Sequence, residues 1–133
     1  MTPYRNCVLL ADRHHGLRDS VRGLLESEFG TVFMVATEAA LLEGAERLQP
    51  AVVVFDLSMS HGDLGGLIAR VRAGAAGAKV LLLSVHDERS VAESALAAGA
   101  DAVVLKRSLA SDLMAAVDAV LRGKRYVSPD IAQ

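Results

Sequence analysis

Five short apolar runs, separated by longer segments of mixed polarity, limit what this chain can fold into. The runs occupy residues 7–11, 31–35, 51–55, 79–83 and 101–105. Three of them are nearly continuous in Val, Leu and Phe, which is typical of strands covered on both faces in a parallel sheet. The segments between them carry apolar residues at helical spacing, for example Leu17, Val21, Leu24 and Leu25. Strand and helix alternate five times, which predicts an α/β fold with right-handed crossovers and helices on both faces of the sheet.

Among such folds we expect the flavodoxin-like, doubly wound (βα)5 arrangement, a five-stranded parallel sheet in the order 2-1-3-4-5. The run at residues 31–35 is the weakest of the five and is predicted to be an edge strand. The chain has 133 residues, 52% of them hydrophobic, so it is long enough for one domain with its own core. The last helical pattern ends at Gly123. We therefore predict a folded domain over residues 1–123 and an extended linker over residues 124–133.

Charge and composition exclude several classes of protein. The formal net charge is -2, which gives no reason to expect a nucleic acid or an anionic membrane as a partner of this segment. No stretch approaches the roughly 18 apolar residues of a membrane span, and the N-terminus has no basic segment followed by a long apolar one. We expect a soluble, cytoplasmic domain. The single cysteine, Cys7, has no second thiol to pair with and is expected to be a buried, reduced core residue.

Polar residues follow four of the predicted strands at the point where each strand ends. In an open α/β sheet, ligands bind beyond the carboxyl ends of the strands, so these residues are the candidates for function. A carboxylate buried there is costly unless it is paired or binds a cation. Two carboxylates, a hydroxyl and an ammonium at one edge of the sheet predict a site for a metal ion and a phosphoryl group; they belong to Asp12, Asp56, Ser84 and Lys106.

Four short segments in this order, at these strand ends, resemble the signature positions of response-regulator receiver domains. They are Ala11-Asp12, Asp56-Leu57-Ser58-Met59, Leu83-Ser84 and Leu105-Lys106, and the resemblance spans nearly the whole chain. The segment Arg125-Tyr126-Val127-Ser128-Pro129 further resembles the one that, in LuxR/NarL-type regulators, joins the receiver to a helix-turn-helix DNA-binding domain. We expect residues 124–133 to begin such a linker, and contact with DNA to be made only by that second domain, which is absent from this sequence.

The resemblance implies a signalling domain rather than an enzyme. It implies that Asp56 accepts a phosphoryl group from a sensor histidine kinase, with Lys106 and the Ser84 hydroxyl contacting phosphoryl oxygens. It also implies a Mg²⁺ ion held by Asp12, Asp56 and the backbone carbonyl of Ser58. Phosphorylation is then expected to switch output or formation of a homodimer. The small side chains of the Ala-rich helical segments at residues 91–98 and 109–120 would allow a second helix to approach closely, so these segments could form an interface, although helices that only cover the sheet are the more common case.

Three residues depart from the family pattern. Arg13 stands where the family has its second acidic residue, usually the direct Mg²⁺ ligand, so affinity for Mg²⁺ should fall sharply. Arg13 is expected either to form a bidentate pair with Asp56 or to point to solvent. Val103 replaces an aromatic residue, and Ser60 replaces a proline. Because Val103 has no ring to swing, the movement of Ser84 is expected to be coupled less strongly to output.

Other interpretations remain open at this point. A pseudo-receiver, locked by Arg13, would serve as a phosphorylation-independent dimerisation or interaction module. Asp12 and Ser84 could instead cap helices, and Lys106 could be an ordinary surface lysine. His14 and His15 could ligate metal, although solvated or capping histidines are the more common case. An aspartate-nucleophile phosphatase lacks its Asp-x-Asp after the first strand, and a cobalamin-binding domain would need glycine at Leu17.

Overall fold

Six parallel strands form one sheet in a computed structural model of the chain, in the order β2-β1-β3-β4-β5-β6. The structure describes residues 7–27 and 29–131, with the backbone alone for residues 15–18. The strands are β1 (Cys7–Ala11), β2 (Thr31–Val35), β3 (Val52–Asp56), β4 (Lys79–Ser84), β5 (Ala102–Leu105) and β6 (Tyr126–Val127).

Five helices connect the strands: α1 (His15–Glu26), α2 (Glu38–Leu48), α3 (Leu64–Gly74), α4 (Arg89–Ala97) and α5 (Leu109–Leu121). Two helices begin at side-chain caps that satisfy free backbone donors of the first turn. The Thr37 hydroxyl accepts from the backbone N–H of Ala40 at 3.1 Å, and the Asp63 carboxylate accepts from that of Gly66 at 3.1 Å. Short 3-10 turns follow β3 (Leu57–Ser60) and β5 (Lys106–Ser108). No helix in the described part of the chain is long and apolar enough to cross a membrane.

The core lies in two layers, one on each face of the sheet. Along β1, Leu9 belongs to a cluster with residues of α2, α3 and α4, whereas Leu10 belongs to a cluster with residues of α1 and α5. Successive side chains of a strand point to opposite faces, so a strand covered on both faces must be apolar throughout. This requirement explains the continuous apolar runs of the sequence.

The predicted fold class and the order of the five main strands are confirmed, and β2 lies at an edge of the sheet as expected. Cys7 is buried, as predicted, and burial raises the pKa of its thiol to about 11. The structure adds one element. Where the sequence predicts an extended linker, Tyr126 and Val127 pair with Ala102 and Val103 as β6.

The segment after β6 is also held against the domain. Ser128 is buried, and its hydroxyl accepts a hydrogen bond from the backbone N–H of Leu105 at 3.0 Å. Ile131 is buried in the same cluster as Ala92 and Ala95 of α4. Residues 126–131 therefore cover the edge of the sheet that β5 would otherwise expose.

Candidate functional site

The candidate residues lie together because the parallel strands end in register. Asp56 pairs with Leu83 across β3 and β4, and Ser84 pairs with Leu105 across β4 and β5. Asp12 follows Ala11, which pairs with Phe55. The carboxyl ends of β1, β3, β4 and β5 thus meet at one edge of the sheet and bring Asp12, Asp56, Ser84 and Lys106 to it.

Lys106 joins the two carboxylates of this edge. Its Nζ donates a short hydrogen bond to Asp56 Oδ2 and lies 3.3 Å from Asp12 Oδ2. The Lys106 side chain is 14% exposed, and those of Asp12 and Asp56 are 1% and 8% exposed. An ordinary surface lysine does not fit this arrangement, in which one ammonium is shared between two buried carboxylates.

The Asp56 carboxylate is ionised in this setting. Burial raises the pKa of Asp56. Hydrogen bonds from Lys106 and Ser58 and the positive charge of Lys106 lower it by a larger amount, so the pKa lies below its ordinary value. The backbone N–H of Ser58 donates to Asp56 Oδ1 at 2.7 Å. Both carboxylate oxygens therefore have a donor.

Asp12 is fully buried, and its two carboxylate oxygens differ in their hydrogen bonds. Oδ1 accepts a hydrogen bond from the backbone N–H of His14 at 2.8 Å and lies 2.9 Å from His14 Nδ1. Oδ2 accepts no hydrogen bond in the described part of the chain. The contact between Oδ2 and Lys106 Nζ is thus a charge contact at 3.3 Å without hydrogen-bond geometry. His14 is the N-terminal cap residue of α1, so Asp12 is not the cap residue of this helix.

Three side chains could hold a cation here. One possible ligand atom each from Asp12, His14 and Asp56 lies within 4.8 Å of the others. His14 makes no side-chain capping hydrogen bond to α1. Sequence reasoning favoured a solvated or capping role for it, because spacing alone does not show which way the ring turns. The side chain of His15 lies outside the described residues, and the Ser58 carbonyl remains a predicted ligand.

Of the two alternatives for Arg13, the structure shows an exposed side chain rather than a pair with Asp56. Arg13 Nη2 donates to the Ser58 hydroxyl at 3.4 Å, and the guanidinium is exposed at the mouth of the site. The reason is competition, since Lys106 and the Ser58 N–H already occupy the Asp56 oxygens. The locked pocket of a pseudo-receiver is therefore not supported by this geometry.

The Ser84 hydroxyl is engaged with the loop that follows β4. It accepts from the backbone N–H of His86 at 2.9 Å and lies 3.2 Å from the His86 carbonyl. Ser84 does not cap α4, whose N-terminal cap is Glu88. Val103 is buried on the face of the sheet that α4 covers. The Ser60 hydroxyl donates to the Leu57 carbonyl at 2.9 Å.

A cavity of about 260 Å³ opens beside Asp56, between the 3-10 turn after β3 and the loop after β4. Its lining includes two exposed histidines, His61 and His86, and Val85, which is 68% exposed. Sequence reasoning missed these residues. Their positions a few residues beyond the ends of β3 and β4 are the signal that could have found them.

The comparisons with known proteins agree on one family. The family model described as "Response regulator receiver domain" matches residues 8–118. The chain is similar to the response regulator UvrY of Escherichia coli K12, with 33% identity over 130 residues, 95% of this chain and 59% of that protein. It is also similar to the transcriptional regulatory protein UhpA of the same organism, with 34% identity over 129 residues, 94% of this chain and 63% of that protein.

One solved structure shares both the fold and part of the sequence. It is a two-component response regulator of the LuxR family from Aurantimonas sp. SI85-9A1, with a TM-score of 0.83 and 29% identity. The match covers 96% of this chain and 92% of that one. The chain thus aligns with nearly all of this solved chain, but it spans less than two thirds of the two curated relatives.

Proposed function

Since this chain belongs to the response-regulator receiver domain family and is of the LuxR/NarL kind, we propose that Asp56 accepts a phosphoryl group from a sensor histidine kinase. The observation that carries the proposal is the ionised Asp56 carboxylate at the end of β3, beside Lys106 and next to a cavity of about 260 Å³. A nucleophile, a cation and space for a phosphoryl group thus occur together.

The transfer is a displacement at phosphorus. A carboxylate oxygen of Asp56 forms a bond to phosphorus while the bond between phosphorus and the kinase histidine nitrogen breaks, and the electron pair leaves with the imidazole. The product is an acyl phosphate on Asp56. The lowered pKa of Asp56 matters because only the carboxylate form is a nucleophile.

Cations must offset the charge that arrives with the phosphoryl group. The Lys106 ammonium would move from Asp56 to a phosphoryl oxygen as a compact point charge. A divalent cation, Mg²⁺ by family expectation, would be held by Asp12, Asp56 and the Ser58 carbonyl and would supply charge neutralisation. The buried Asp12 oxygen without a hydrogen bond fits such a ligand, since a cation would satisfy it.

The Ser84 hydroxyl would give the switch its movement. To reach a phosphoryl oxygen it must leave the His86 backbone. Ser84 pairs with Leu105, whose N–H is held by Ser128, so a shift at the end of β4 can reach residues 126–131. In this proposal the switch changes output or homodimerisation of a cytoplasmic regulator, and a further domain of the relatives' kind contacts DNA.

Intact-mass spectrometry after incubation with acetyl phosphate tests the proposal. We expect a gain of one phosphoryl group that depends on a divalent cation. The variant Asp56→Asn should show no gain, whereas Asp118→Asn, a matched change at an exposed site of α5, should behave like the wild type. A gain that survives Asp56→Asn, or no gain with any divalent cation, would contradict the proposal.

A further inference from the structure

The His14 imidazole lies at the edge of the same site without a role in the proposed transfer. Its Nδ1 is 2.9 Å from Asp12 Oδ1, and the backbone N–H of His14 donates to that same oxygen at 2.8 Å. These two contacts fix residue 14 beside Asp12. Possible ligand atoms of His14, Asp12 and Asp56 lie within 4.8 Å of one another, a separation that a single bound cation can bridge.

A second observation points to a ligand. Asp12 Oδ2 is fully buried and accepts no hydrogen bond in the described part of the chain. Its nearest charge is Lys106 Nζ, which already donates to Asp56. A buried carboxylate oxygen in this state is costly, and a cation bound between Asp12 and Asp56 would remove the cost.

The charge of the site disfavours a cation that depends on electrostatics alone. Asp12 and Asp56 contribute two negative charges, and Lys106 and the nearby Arg13 contribute two positive ones. Mg²⁺ takes oxygen ligands and relies on carboxylate charge, so a site of zero net charge holds it poorly. An imidazole nitrogen bonds Zn²⁺, Fe²⁺, Co²⁺ and Ni²⁺ well without adding charge.

We infer that His14 is a ligand of the divalent cation, together with Asp12 and Asp56, and that the site prefers a cation that binds nitrogen over Mg²⁺. The inference rests on the proposed function, because it names the cation that serves the phosphoryl site. The family has an acidic Mg²⁺ ligand at the position of Arg13. In this chain His14, the next residue, thereby supplies a ligand in its place.

Titration calorimetry with Co²⁺ and Mg²⁺, combined with visible absorption of bound Co²⁺, tests the inference. We expect the wild type to bind Co²⁺ more tightly than Mg²⁺. His14→Gln should weaken Co²⁺ at least about tenfold, as loss of a ligand does, while changing the affinity for Mg²⁺ by less than about twofold. Asp12→Asn should weaken both cations. Asp118→Asn, a matched change at an exposed site of α5, should leave both affinities unchanged.

Several results would overturn the inference. They are absence of Co²⁺ binding, Co²⁺ binding no tighter than Mg²⁺ binding, and Co²⁺ binding that survives His14→Gln. His14 is exposed, so His14→Gln should fold, and its thermal unfolding without cation checks this. Phosphorylation of Asp56 that is equally efficient in His14→Gln and in the wild type when Co²⁺ is the only cation would refute the role of His14 and leave the proposed function standing. Cobalt binding that depends on His14, without phosphorylation under any cation, would refute the function instead.

Discussion

Lys106 is the one residue that contacts both buried carboxylates of the described site. Without its ammonium, burial would raise the pKa of Asp56, and two carboxylates would face each other. We expect Lys106→Met to lower the free energy of unfolding by about 3–5 kcal/mol near neutral pH, the order of magnitude for breaking a buried pair. The Asp56 carboxylate then becomes protonated more easily, so the loss should shrink on acidification.

Urea denaturation at about pH 7 and about pH 4.5 measures this difference. In the wild type, the lowered pKa of Asp56 contributes stability above the ordinary carboxyl pKa, and this stability is lost as the pH falls through the lowered value. Lys124→Met, at an exposed position, is the matched control. A loss that is equal at both pH values would argue against the shared ammonium.

The Cys7 thiol should react very slowly with alkylating reagents in the folded protein. Only the thiolate reacts with iodoacetamide, and burial raises the pKa of Cys7 to about 11. We expect alkylation at about pH 8 to be at least about a hundredfold slower than in urea, since two pKa units remove that much thiolate. Mass spectrometry follows the reaction. Equal rates with and without urea would show that β1 opens readily.

At this scale, positions are easier to predict than side-chain directions. Asp12, Asp56 and Lys106 meet because they follow strands that end in register, and the sequence marks those ends. The contacts of Arg13 and His14 are not predictable in this way. They depend on which of several donors occupies each carboxylate oxygen in the folded protein, and strand spacing does not predict this.

Two glycines in consecutive helices, which lie on opposite faces of the sheet, should respond differently to alanine. In α1, a Cβ at Gly23 would meet nothing within 4 Å, so Gly23→Ala should raise the free energy of unfolding by about 0.5–1 kcal/mol through helix propensity. In α2, a Cβ at Gly44 would lie 3.1 Å from Leu9 Cδ2 of β1. Crowding there should cancel the gain, so Gly44→Ala should be no more stable than the wild type. Thermal unfolding compares the two variants, and equal gains would mean that α2 shifts freely over β1.

Among the strands, the long ones were predictable and β6 was not. A run of five apolar residues has a recognisable pattern, whereas Tyr126 and Val127 are too few to show any period. Tertiary hydrogen bonds place them in the sheet. The Tyr126 N–H donates to the Asp101 carbonyl at 3.2 Å, and the Ser128 N–H donates to the Val103 carbonyl at 3.0 Å. These partners lie more than twenty residues earlier in the chain, beyond the reach of a local pattern.

The whole molecule consists of two apolar layers that share one sheet. Ile68 of α3 and Val117 of α5 belong to different layers. We expect Ile68→Val to cost about 0.5–1.5 kcal/mol and Val117→Ala about 1–3 kcal/mol, each with a single cooperative transition. Because the two residues belong to clusters on opposite faces of the sheet, the double variant should lose the sum within about 0.5 kcal/mol. Urea denaturation of the four proteins measures the coupling, and a discrepancy above about 1 kcal/mol would mean that the sheet transmits strain between the layers.

The sixth strand also determines where this domain could be cut. A fragment ending at Gly123 would lose the partners of Ala102 and Val103 and the cover that Ile131 gives to α4. Its β5 would become a bare edge, a template on which a second molecule can add its own strand and begin to aggregate. Any tether to a following domain is therefore measured from Ile131 rather than from Gly123, which shortens its free length and its reach.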